Sequence, residues 1–176
     1  MSKAKDIFSF DNHKYSKLRE PARGVISAYQ TANRFFDTAQ EFVYTELGMV
    51  NCAKAIHLQA HKFPQIFDRF ADMLHERHLM AEYPETPELD WRKELSDLDS
   101  VFDLLIRVLD SIDEALNSFH EVTDTAEFRP MALFTEELML ENSHTYTQFL
   151  EMWARWDKDG GSMTSFDGWC RHLMEE

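Results

Sequence analysis

The sequence predicts an all-α chain, an antiparallel four-helix bundle followed by a short fifth helix on its C-terminal side. Three observations carry this. Apolar residues recur every three or four positions over long stretches, the period of one helix face. The chain holds only 5 Gly and 5 Pro against 14 Phe and 9 Met, a composition for long helices and few turns. Its 176 residues suit one domain with a sizeable core.

The elements follow in order. Val25, Tyr29, Ala32, Phe36, Ala39, Val43, Leu47 and Val50 form one stripe. Pro21 suits a helix start, so the first helix is expected over 22–61, with Gly48 and Asn51 offering an earlier end. Phe63-Pro64 opens a second helix over 64–82, whose inward stripe is Phe63, Phe67, Phe70, Leu74 and Ala81. A stiff connection from Pro84 to Pro87 follows. Asp90 can cap a third helix over 91–122, which buries Val101, Phe102, Leu105, Val108, Leu109, Ile112, Leu116 and Phe119. Thr123-Asp124-Thr125 turns the chain into a fourth helix over 128–157, and residues 164–174 fit the short fifth one. The expected division is a flexible arm over 1–20, the bundle over 21–158, and a loop with a short helix over 159–176.

Charge and composition narrow the function classes. The first 25 residues hold six Lys or Arg and three Asp or Glu, a net +3, while the rest hold 12 against 29, a net −17. An acidic body repels nucleic acid and membrane surfaces and attracts cations. No segment reaches 18 apolar residues, so no membrane span is expected. Cys52 and Cys170 are far apart in sequence and fit neither a disulfide framework nor a zinc site. They read as reduced thiols of a cytoplasmic protein. There is no Gly-rich phosphate loop and no Gly-x-Ser-x-Gly.

The fourth helix carries the chemistry. Phe134, Leu138, Thr145, Phe149, Met152 and Trp156 fall on one stripe, with Glu141 in its middle and His144 one turn on. A carboxylate in an apolar stripe is costly unless it is paired or bound to a metal. Glu-x-x-His presents an oxygen and an imidazole nitrogen on one face, the arrangement that four-helix bundles use for di-metal centres. With a turn near residue 62 and another near 125, Glu46, His78, Glu141 and position 109 or 110 come to mid-bundle height, where Glu46, His78, Glu141 and His144 are expected to converge.

The chain resembles the ferritin-like superfamily. SFHEVTDTAEFRPMALFTEELMLENS looks like the ferritin segment where a helix end, a short turn and a Phe-x-Glu opening occur at this spacing. TELGMV around Glu46 resembles the first ferritin helix, and Phe63, Phe67 and the His cluster resemble the start of the second. The resemblance covers about residues 25–157. It implies Fe(II) binding, ferroxidase oxidation and iron storage or oxidative-stress protection in a homo-oligomer. The implied metal ligands are Glu46, His75 and His78, Glu141 with His144, and Asp110 beside Leu109, which stands where the third-helix Glu belongs. The implied cofactor is iron, as a di-iron centre, with manganese or zinc as alternatives. A second pattern, His57-x-x-x-His61 followed by Asp72-x-x-x-Glu76, resembles the miniferritin site shared across a dimer interface. The rival reading is a metal-free bundle that acts through assembly.

Overall fold

The computed structural model describes residues 15–85 and 93–172, and these form six helices and no strand. They are α1 (Ser16–Thr45), α2 (Val50–Ala60), α3 (Lys62–Glu76), α4 (Leu98–Thr123), α5 (Arg129–Lys158) and α6 (Met163–His172). The four expected columns are present, but the expected first span, 22–61, is divided between the first column and the second. α1, the pair α2–α3, α4 and α5 are those columns, and α6 is the short extra helix. α1 packs on α2, α3 and α4, and α4 packs on α5.

The first helix differs from its expected span at both ends. It begins at Ser16, so Pro21 lies inside it rather than at its start, and residues 16–20 belong to the bundle. It ends at Thr45. Gly48 adopts φ +68°, a left-handed conformation that is cheap only without a Cβ. The Met49 N–H then bonds the Val43 carbonyl and closes the turn. Of the two ends open in the sequence, the earlier one is therefore taken. The stripe from Leu18 through Val25, Tyr29, Ala32, Phe36 and Ala39 to Val43 is buried throughout.

The second column is broken at His61, and the break has a local cause. Pro64 has no N–H to give the Ala60 carbonyl four residues back. The Asn33 amide of α1 donates to that carbonyl instead, at 3.1 Å. Phe63, Phe70 and Leu74 remain buried across the break. Phe36 meets Phe63 edge-on at 4.8 Å and Phe149 at 5.4 Å, and Phe70 meets Phe119 at 5.0 Å. Such pairs add roughly 0.5–1.5 kcal/mol each beyond area burial.

α4 starts at Leu98, not at 91. Asp90, the expected cap, lies outside the described residues. Asp97 takes that role: it accepts from the Ser100 N–H at 2.8 Å, and Ser100 Oγ accepts from the Asp97 N–H at 3.1 Å. The Ser100 backbone bond holds the Asp97 carboxyl below its ordinary range.

α6 lies mainly on α2. Its Phe166 packs on Phe102, Trp156 and Trp169. Its Asp167 supplies what α2 lacks. No side chain of α2's own N-cap bonds its free N–H groups. Asp167 Oδ1 accepts from the N–H groups of Asn51 and Cys52 at 2.8 and 2.9 Å, and Oδ2 from the Asn51 amide at 2.9 Å. A carboxylate there also opposes the positive end of the helix dipole. The same docking joins the two cysteines that sequence distance kept apart. Both are buried free thiols. A hydrogen bond to Cys170, then burial, push the Cys52 thiol well up, which keeps it protonated.

Candidate functional site

The six candidate ligands are spread over the molecule. Glu46 follows the last residue of α1 and is exposed. His78 follows α3, takes φ +59°, and lines a cleft with Tyr15, which precedes α1. The 30 residues of α1 at 1.5 Å each put about 45 Å between those two ends. Glu46 and His78 therefore do not share a height. The cause is the turn position: the chain reverses at 46–49, not near residue 62. His75 is exposed in the last turn of α3. Asp110 is exposed on α4 and accepts a hydrogen bond from the Tyr146 hydroxyl. Burial first, then the Asp110 carboxylate, push that phenol's pKa up.

Glu141 sits at the edge of the bundle, its side chain 41% exposed. Arg69 of α3 donates to both of its oxygens, at 2.8 and 3.0 Å. The cost of a carboxylate beside an apolar stripe is thus met by a cation of the chain itself. Exposed His144 lies one turn on, and the two line a cleft with Gln59, Lys62 and Gln148.

The interior at this height is filled differently. Leu109 is fully buried, as are Tyr29 of α1 and Phe63 of α3, whose rings lie 6.1 Å apart. From α5 it is Asn142, not Glu141, that points inward. Its amide donates to the Leu109 carbonyl at 3.0 Å and to Asp113 at 2.7 Å. Buried Gln59 donates to Thr145 at 3.1 Å. The Tyr29 hydroxyl is buried and has no hydrogen-bond partner among the described residues. Burial pushes its pKa up, the Glu141 and Asp113 carboxylates add to this, and Arg69 opposes it. This donor set of amides, hydroxyls, one phenol and the single carboxylate of Asp113 does not fit a di-iron centre, which needs several carboxylates and imidazoles. Among the described residues no group of three or more His, Cys, Asp or Glu is arranged to hold a metal ion.

Sequence reasoning missed Asn142, Asp113 and Arg69. The signal for Asn142 was present, since it lies four residues after Leu138 and three before Thr145. Asp72 and Glu76 are exposed, and Glu76 belongs to the cleft of Tyr15 and His78. His57 and His61 do meet, with their Nε2 atoms 2.9 Å apart.

A six-helix arrangement with four bundle columns and this connectivity is a ferritin-like fold, as the solved structures show. One crystal structure of a PmFTN variant soaked in iron for 45 min aligns with TM-score 0.80 over 86% of this chain and 97% of that one, at 14% identity. A second variant, also soaked for 45 min, gives 0.80 at 15% identity with the same coverage. A 3 h soak gives 0.79 at 14% identity, over 85% and 96%. PmFTN is itself ferritin-like. No protein-family profile matches the chain, and no curated protein does. No helix among the described residues is long and apolar enough to cross a membrane.

Proposed function

We propose that this protein binds iron or a related divalent metal on a ferritin-like scaffold, at the periphery of the bundle rather than inside it. The observation that carries this is the cleft in which Glu141 and His144 stand one turn apart on α5, open to solvent beside the broken second column. The fold, shared with the iron-soaked crystal structures of a PmFTN variant, and the net charge of −14 support the same reading. Glu141 would supply oxygen and His144 nitrogen, a set suited to iron, manganese or zinc. Arg69 must release Glu141 for this, which limits affinity. His75, His78, Glu46 and Asp110 do not line that cleft, and contribute only to the acidic and imidazole-bearing surface. Binding without ferroxidase turnover is the simplest activity such a site supports.

Anaerobic calorimetric titration of Fe(II) tests this. Wild type should give heat of binding that Glu141→Ala abolishes and that a His57→Ala/His61→Ala double variant retains. No heat in wild type would defeat the proposal.

A second reading is favoured by the apolar interior around Leu109 and by Leu133, Leu140 and Leu150, 46, 59 and 42% exposed along α5. In it the chain acts through assembly with copies of itself. Light scattering should then return a mass well above 20.8 kDa at micromolar concentration. A monomer would contradict it.

A further inference from the structure

We propose that His57 and His61 form a bidentate site for a divalent transition-metal ion on the outer face of the broken second column, with Asp37 of α1 fixing the His57 ring. This site is separate from the Glu141–His144 cleft and does not depend on it.

The backbone sets the pair. The His61 N–H still bonds the His57 carbonyl, at 3.2 Å, so the two residues stand one full helical turn apart although α2 ends at Ala60. Side chains at this spacing lie on one face. The rings are tilted by 77° with centroids 4.3 Å apart, and the two Nε2 atoms face each other at 2.9 Å. Two imidazole nitrogens at Zn–N distances of 2.0–2.1 Å and a tetrahedral angle stand roughly 3.3 Å apart. Chelation widens the observed 2.9 Å by a few tenths of an ångström and turns both Nε2 atoms from each other toward the ion.

The second observation is on the far side of His57. Its Nδ1 is buried and makes no hydrogen bond among the described residues. It faces Asp37 Oδ1 at 4.0 Å. Metal-bound histidines typically give the other ring N–H to a carboxylate, which fixes the tautomer and makes the ligating nitrogen more basic. Asp37 stands where that carboxylate belongs. Closing the gap by about 1 Å would form the bond and reach ordinary hydrogen-bond length. In that tautomer the His57 Nε2 lone pair is free. Without metal it accepts the Nε2–H of His61. On binding, His61 carries its proton on Nδ1 instead, so neutral imidazoles serve before and after and no net proton is lost. Two imidazoles, with no third His, Cys, Asp or Glu arranged to join them among the described residues, select zinc, copper or nickel over magnesium or calcium. Water fills the remaining positions.

The test uses the full chain and Zn(II) in titration calorimetry, with Cu(II) electron paramagnetic resonance as the second readout. Wild type should bind Zn(II) at this site, and the Cu(II) spectrum should show coupling to two imidazole nitrogens. His57→Ala and His61→Ala should each weaken Zn(II) binding at least tenfold and leave one coupled nitrogen. Asp37→Asn should weaken it about 10- to 100-fold while keeping both nitrogens. The Glu141–His144 cleft offers a single imidazole, so Glu141→Ala removes any Zn(II) heat of that cleft and should leave the two-nitrogen Cu(II) coupling of the His57–His61 site in place. The His57 side chain is 46% exposed and His61 is exposed, so circular dichroism should be retained in these variants. The proposal is overturned if wild type binds no Zn(II), if the His57 and His61 variants bind like wild type, or if the Cu(II) spectrum of Glu141→Ala lacks coupling to two nitrogens.

Discussion

Leu109→Glu should destabilise the protein by about 3–5 kcal/mol at pH 7, the scale of an uncompensated buried charge. Leu109 is fully buried, and Asn142 already spends its amide on the Leu109 carbonyl and on Asp113. Glu141, the other nearby carboxylate, holds the Arg69 that could serve as counter-ion. The introduced carboxyl would therefore be desolvated and repelled, and its folded-state pKa would rise above the unfolded value. The folded form then binds more protons than the unfolded one, so the deficit against wild type should shrink as pH falls from 7 to 5. Urea denaturation at both pH values measures this. A deficit below about 1 kcal/mol would mean that the middle of the bundle accommodates charge, and would reopen it as a metal site.

Asp167→Ala should cost about 2–3 kcal/mol. It removes three hydrogen bonds to a carboxylate, two of them from N–H groups at the start of α2 that no other side chain bonds. Asp167→Asn should cost less, because one amide oxygen can still accept both backbone N–H groups while the Asn51 amide loses its partner. Thermal and urea unfolding of the three proteins decide the matter. A loss below 0.5 kcal/mol, a value ordinary for surface changes, would show the carboxylate to be incidental.

Periodicity made the columns legible. The stripes of α1, α4 and α5 hold their spacing, and most of their residues are buried where the pattern puts them. What periodicity cannot do is choose between neighbouring positions on a stripe. Position 141 and position 142 both fit between Leu138 and Thr145, because 3.6 residues per turn drifts against a seven-residue repeat. The structure turns Asn142 inward and leaves Glu141 to Arg69, and one position of drift moved the expected metal site out of the core. The larger displacement came from a single turn. Gly48 and Pro64 both punctuate the chain, and only tertiary packing shows that the glycine reverses it while the proline merely breaks a column. Placing the reversal near residue 62 lifted Glu46 and His78 to a shared height that they do not have. The contact between Cys52 and Cys170 was illegible for another reason, since it depends on where α6 docks.

The carboxylate of Asp167 lies 116 residues beyond the N–H of Asn51 that it receives. A contact so distant along the chain closes a long loop, and such contacts form late in folding. The α1–α2 hairpin is therefore expected to assemble with the first amides of α2 still open to water, and the C-terminal helix to seal them afterwards. In the native protein the order runs backwards: the amide protons of Asn51 and Cys52 should exchange with solvent together with those of α6, ahead of the rest of α2, as one small cooperative unit.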